Sequence, residues 1–117
     1  MSTTSTDKPV FTFTVTASDA TDPPTVSCTP GEITVDTSNA LIEFDLVTPG
    51  YSFDPQSPIV FGEATTDFPD LWAISATQIA MRDRCSKAAV LNFTINVMQD
   101  ATGLCLSHDP VIRNVPT

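Results

Sequence analysis

The chain has 117 residues, a length that fits one domain, and 41% of them are hydrophobic, a composition typical of globular rather than disordered proteins. Its formal net charge of −9 argues against nucleic acid and against an anionic membrane surface as partners, because both require a basic footprint. Ten prolines, together with abundant threonine and valine, disfavour helices and favour an all-β fold.

The N-terminal half predicts a tail followed by three strands. Residues 1–8 have the composition of a disordered tail. The segment 10–18, VFTFTVTAS, alternates apolar and threonine side chains, which is typical of a half-buried strand. After a loop rich in Asp and Pro, the segment 31–50 predicts two strands joined by a short turn at 37–39.

The middle of the chain is interrupted by prolines. Residues 59–61 predict a short strand at a sheet edge, where proline is tolerated nearby. The segment 71–85, LWAISATQIAMRDRC, is the one stretch that resembles a helix. Its apolar alternation slips by one position, which favours two short strands or a bulged strand over a helix.

The C-terminal part predicts a hairpin. Residues 91–97 alternate strictly, and the loop QDATG provides Gly103 where a positive φ is needed. Leu104 and Leu106 begin the return strand. In total the pattern predicts about seven short antiparallel strands, forming an immunoglobulin-like β-sandwich in a single domain of residues 9–117.

The chain ends in SHDPVIRNVP, which resembles the C-terminus of the DP-EP family of small bacterial proteins. The matching positions are Asp109, Pro110, Ile112, Asn114 and Pro116. Val115 departs from the pattern, since the family has an acidic residue before its last proline. The resemblance implies an immunoglobulin-like fold and brings no catalytic residues.

The Cys–Trp–Cys core of antibody domains is absent. Cys28 and Trp72 are too far apart in the sequence, and no tyrosine stands two residues before Cys85 or Cys105. The sequence therefore predicts the sandwich fold without predicting membership of the antibody superfamily.

The only histidine, His108, is followed by Asp109 and is the first candidate for catalysis. Neighbouring residues on a strand point to opposite faces, so these two side chains cannot easily form a nucleophile-activating pair. Cys105 lies an odd number of positions away and also points to the other face, and no Gly-x-Ser-x-Gly motif exists. We therefore predict that His108 ends a strand and that the protein is not an enzyme.

Three cysteines, Cys28, Cys85 and Cys105, form an odd set without CxxC spacing. Such a set is typical of reduced thiols in the cytoplasm rather than of a disulfide framework. One histidine and three scattered cysteines do not supply the four ligands of a zinc site. The sequence shows neither a secretory signal nor a membrane-spanning apolar run.

Acidic loops make calcium the metal ion to consider. Asp19 and Asp22 lie in one loop, Asp100 lies in the hairpin loop, and the middle loop is the most acidic. The candidate ligands in that middle loop are Glu63, Asp67 and Asp70. None of these loops matches an EF-hand, and turn formation is the simpler interpretation of their carboxylates.

Trp72 is predicted to be a core residue, because a lone tryptophan usually is. The alternative is a sugar-binding platform shared with the nearby aromatic residues Tyr51, Phe53 and Phe68. We expect a non-catalytic interaction or assembly module without a cofactor, contacting a protein partner or a second copy through its edge strands or a sandwich face. The alternative is a calcium-dependent ligand-binding module, with carbohydrate as one candidate ligand.

Overall fold

The computed structural model describes residues 10–20, 24–61 and 71–116, which contain strands and no helix. Eleven strands form two mixed sheets that pack as a sandwich. They are β1 (Val10–Ser18), β2 (Thr25–Thr29), β3 (Glu32–Val35), β4 (Ala40–Leu46), β5 (Tyr51–Phe53), β6 (Ile59–Phe61), β7 (Leu71–Ser75), β8 (Gln78–Asp83), β9 (Ala89–Gln99), β10 (Cys105–His108) and β11 (Val111–Asn114).

The first sheet has the strand order β2-β1-β4-β8-β7. Its pairs are antiparallel except for β1 and β4, which run parallel over six residue pairs. The N-terminal strand therefore lies inside the sheet, with a neighbour on each side.

The second sheet is built around the long strand β9. Ile95 of β9 pairs with His108 of β10 and with Ile59 of β6, so these two strands lie on opposite sides of β9. Strand β11 continues the line of β10 beyond Asp109-Pro110, β5 continues the line of β6, and β3 pairs parallel with β11.

The predicted all-β sandwich is confirmed, but its strands are not all antiparallel. The two parallel pairs, β1–β4 and β3–β11, were not anticipated. The second arises because the chain leaves the first sheet at Thr29-Pro30 and enters the second as β3. Prolines also explain why there are eleven strands rather than about seven. Breaks at Pro30, at Pro55 to Pro58 and at Pro110 separate β2 from β3, β5 from β6 and β10 from β11.

Several local predictions are confirmed. The ambiguous segment 71–85 forms the antiparallel strands β7 and β8 rather than a helix, and residues 59–61 form β6. Gly103 adopts a φ of +74° in the hairpin loop, as predicted, which a residue with a Cβ rarely adopts. The predicted tail, residues 1–8, lies outside the described residues.

Three phenylalanine rings join the two sheets at the centre of the core. Phe13 and Phe44, on neighbouring strands of the first sheet, stack with ring centroids 5.1 Å apart. Phe93 of the second sheet packs edge-on against both rings, at 6.2 and 5.7 Å. All three side chains are buried, and aromatic pairs in these geometries stabilise a core beyond the area that they bury.

A buried polar contact also connects the two sheets. Asp83, at the end of β8, and Asn114, at the end of β11, are fully buried. The Oδ1 atom of Asp83 accepts hydrogen bonds of 2.9 Å from Nδ2 of Asn114 and from the backbone N–H of Cys85. Asn114, the last residue of β11, thus holds this strand of the second sheet to the first sheet.

Candidate functional site

Strand β7, at one edge of the first sheet, exposes all five of its residues. Leu71, Trp72 and Ile74 are 42%, 46% and 56% exposed, respectively. Strand β8 pairs with one side of β7, and no other strand of the described ranges pairs with its outer side. A register shift between Ala73 and Ser75 leaves Ile74 without a partner residue. The edge is thus apolar, uncharged and irregular.

The prediction that Trp72 belongs to the core is wrong. Ala73 is opposite the core residue Ile79, so Trp72, one position earlier, lies on the outer face of the sheet opposite Ala80. The alternation of the sequence specifies two faces but does not specify which one is covered. Because β7 is an edge strand, Trp72 remains exposed on the outer face.

The outer face beside Trp72 carries both apolar and polar side chains. Register places Trp72, Ala80, Glu43 and Thr12 in one row across β7, β8, β4 and β1. At one end of this face, residues of three strands and of the turn before β4 line a depression of about 310 Å³ whose lining is mostly apolar. They are Asn39, Ala40, Leu41, Trp72 and Arg82. Sequence reasoning missed Glu43 and Arg82, which appear as ordinary surface charges on alternating strands.

A second depression lies beside β5, where the edges of the two sheets approach each other. It has a volume of about 340 Å³ and a mostly apolar lining. The lining comprises Ser52, Phe53, Asp54, Pro55, Pro58, Ala73, Ser75, Ala76, Ile79 and Met98. The N–H of Phe53 donates to the carbonyl of Ala76 at 2.8 Å, which fixes the distance between the two sheets here. We call this depression the edge cleft.

The predicted sugar platform does not form as expected. Tyr51 and Phe53 are buried in the core, whereas Trp72 faces outward from the other sheet. Phe68 lies outside the described residues. Trp72 is therefore the only member of that set that the structure places on an exposed face.

Most of the predicted calcium ligands, Asp22, Glu63, Asp67 and Asp70, lie outside the described residues. Asp19 directly follows β1. Asp100 accepts a hydrogen bond of 2.6 Å from the hydroxyl of Ser52. Within the ranges 10–20, 24–61 and 71–116, no three His, Cys, Asp or Glu residues are grouped closely enough to hold a metal ion. The calcium site stays a prediction.

His108 is the last residue of β10, as the sequence predicts. Oδ1 of its neighbour Asp109 accepts a hydrogen bond of 2.7 Å from the hydroxyl of Thr94. Asp109 thereby links the break between β10 and β11 to strand β9.

The three cysteines are free thiols in different environments. Cys28 is buried, and burial raises the pKa of its thiol to about 11, because a thiolate is poorly solvated there. Cys85 is buried and donates its S–H to the carbonyl of Val35 at 3.3 Å. Cys105 is exposed at the start of β10.

We expect a thiol reagent such as Ellman's reagent, at pH 8, to modify Cys105 rapidly and the other two cysteines only after unfolding. Cys105 is exposed, so the reagent can reach its sulfur directly in the folded protein. The Cys28 thiol, whose pKa is raised by burial, is almost entirely protonated at this pH, and the Cys85 thiol is buried. The Cys105→Ser variant should lose the rapid phase; a rapid phase that persists in this variant would contradict the assignment.

Among the described residues, no helix has the length and apolarity needed to cross a membrane. No protein-family model matches the chain. No curated protein matches it either. The resemblance to the DP-EP family therefore stays a prediction from the C-terminal motif.

Proposed function

We propose that this chain is a non-catalytic interaction or assembly module and that β7 is its contact strand. The observation that carries the proposal is the exposure of every residue of β7, with Leu71 and Ile74 42% and 56% exposed. Exposed apolar side chains grouped on a sheet edge are typical of protein–protein contact sites.

The absence of charge on β7 allows a second copy of the chain to be the partner. The chain has a net charge of −9, so two copies repel each other over most of their surfaces. Strand β7, with the sequence LWAIS, has no charged side chain. A two-fold contact centred on β7 brings these neutral strands together, and such a contact is complementary to itself by symmetry.

The edge cleft lies next to this contact. Ala73 and Ser75 of β7 belong to its lining, together with the apolar side chains of Ile79 and Met98. Strand addition to a sheet edge gains affinity from main-chain hydrogen bonds and specificity from side chains that enter neighbouring pockets. The partner's apolar side chain would occupy the edge cleft in this arrangement.

We also infer an immunoglobulin-like strand arrangement. In the first sheet, β1 lies between β2 and β4; without it, the strand order is β2-β4-β8-β7. In the second sheet, β9 is the central strand, with β5 and β6 on one side and β10 and β11 on the other. These orders correspond to the ABED and CFG sheets of immunoglobulin domains. A reducing compartment such as the cytoplasm is proposed as well, because none of the three cysteines forms a disulfide.

Light scattering tests the assembly proposal. We expect the protein to form a dimer at roughly tens of micromolar, and Ile74→Lys to raise the dissociation constant by about tenfold or more, since lysine on an edge strand opposes strand pairing. Val47→Lys is the matched control, because Val47 is 57% exposed, close to the 56% of Ile74, and lies outside β7. A monomeric wild-type protein, or equal effects of the two lysines, would exclude assembly through β7.

A further inference from the structure

The outer face of the first sheet has a binding surface that assembly through the β7 edge does not require. Trp72, Ala80, Glu43 and Thr12 follow one another in register across four adjacent strands. Because neighbouring strands lie about 4.8 Å apart, the row is about 14 Å long. That length suits a short oligosaccharide lying across the strands.

Side-chain size leaves the ring of Trp72 accessible from within the row. Its direct neighbour Ala80 is small and itself buried, with 4% of its surface exposed, whereas Trp72 is 46% exposed. Aromatic faces attract the C–H groups on the apolar face of a sugar ring, and tryptophan offers the largest such face. The row therefore begins with a stacking surface.

Polar groups surround this stacking surface. Glu43 lies two strands away along the row, and Asp45 and Gln78 form a second pair on the same face. Asn39 and Arg82 line the depression of about 310 Å³ next to Trp72. Carboxylates accept hydrogen bonds, a guanidinium donates them, and an amide does both. Together, these side chains can accept hydrogen bonds from sugar hydroxyl groups and donate hydrogen bonds to them.

We propose that this face binds a neutral saccharide, with one sugar ring stacked on Trp72 and hydrogen bonds from the hydroxyl groups of this ring and of a neighbouring ring to Glu43, Arg82 and Asn39. An apolar protein surface is a poorer match, since it would remove water from Glu43 and Asp45 without replacing their hydrogen bonds. An anionic glycan is disfavoured by the net charge of −9. The proposal does not depend on assembly through β7.

Trp72 is the only tryptophan in the chain, so its fluorescence reports directly on the proposed site. The probes are cellohexaose and laminarihexaose, two neutral hexasaccharides, added in the presence of EDTA. We expect a saturable change in emission with at least one of them, with a dissociation constant on the order of 10 µM to 1 mM, as befits a shallow, partly polar site.

The saccharide affinity of single-residue variants, measured by isothermal titration calorimetry, shows where on the protein the saccharide binds. Trp72→Ala should weaken it by about tenfold or more, Trp72→Phe by less, and Glu43→Ala by several-fold. Val60→Ala is the control, because Val60 has the same 46% exposure as Trp72 and lies on the second sheet. If Trp72→Ala does not fold, Glu43→Ala and the wild-type fluorescence still decide the matter.

Three results would overturn the proposal. The first is no fluorescence change and no heat with either hexasaccharide up to about 10 mM, where even a very weak site would bind. The second is unchanged affinity in both Trp72→Ala and Glu43→Ala. The third is binding that appears only when calcium replaces EDTA, which would instead support the calcium-dependent module predicted from the acidic loops.

Discussion

Replacing Phe93 by alanine is expected to lower the free energy of unfolding by about 3–5 kcal/mol, which is the usual cost of removing a buried phenylalanine. Phe93 is almost fully buried and contacts Phe13 and Phe44 across the two sheets. The substitution leaves a cavity where the sheets meet, and neither sheet can close it without moving the other. Urea unfolding, with linear extrapolation to water, measures the effect.

Val90→Ala is the control for this experiment. Val90 lies on the same strand, β9, but its side chain is 47% exposed. Its truncation should cost less than about 1 kcal/mol, because little buried apolar surface is lost. Equal losses in the two variants would mean that the three-ring cluster is not the centre of the core.

Replacing Asp83 by alanine is expected to cost about 2–4 kcal/mol, because two buried donors lose their acceptor. These donors are the backbone N–H of Cys85 and the side-chain amide of Asn114. Water cannot easily replace the carboxylate, since Asp83 and Asn114 are both fully buried. The loss should be measured by the same urea unfolding experiment.

Asp54 provides a matched control for Asp83. Its Oδ1 atom also accepts two backbone hydrogen bonds, from Gln56 at 2.9 Å and Ser57 at 3.4 Å, but in an exposed loop. Asp54→Ala should cost no more than about 1 kcal/mol, since water can solvate the released donors.

A double-mutant cycle with Asn114→Ala should then give a coupling energy of about 0.5–3 kcal/mol for the Asp83–Asn114 pair. Additive effects, or an Asp83→Ala variant as stable as Asp54→Ala, would contradict this role of the buried pair.

The class of the fold could be predicted from local patterns. Alternation at 10–18 and 91–97 was sufficient to predict strands β1 and β9, because a strand half covered by a core must alternate with a period of two. Glycine at 103 was sufficient to place the hairpin loop, because its backbone needs a positive φ. The one-position slip in 71–85 distinguished two strands from a helix.

The candidate site could not be predicted in the same way. The sequence identified Trp72 as notable but assigned it to the core, and it gave no sign that Glu43 and Arg82 lie on the same face. These residues come from three strands, and their proximity depends on the register of β4, β8 and β7. Register is fixed by long-range pairing, which a single sequence does not reveal.

The sequence by itself determined the all-β class, the positions of most strands and the strand end at His108, since these depend on neighbours along the chain. Only the tertiary structure decided that β1 lies parallel to β4, that β7 is an exposed edge, and that Asp83 meets Asn114 between the sheets. Those features depend on which distant segments pair and which faces remain uncovered. Burial and strand order depend on how all the strands pack together, so only the complete fold shows which surface is available for binding.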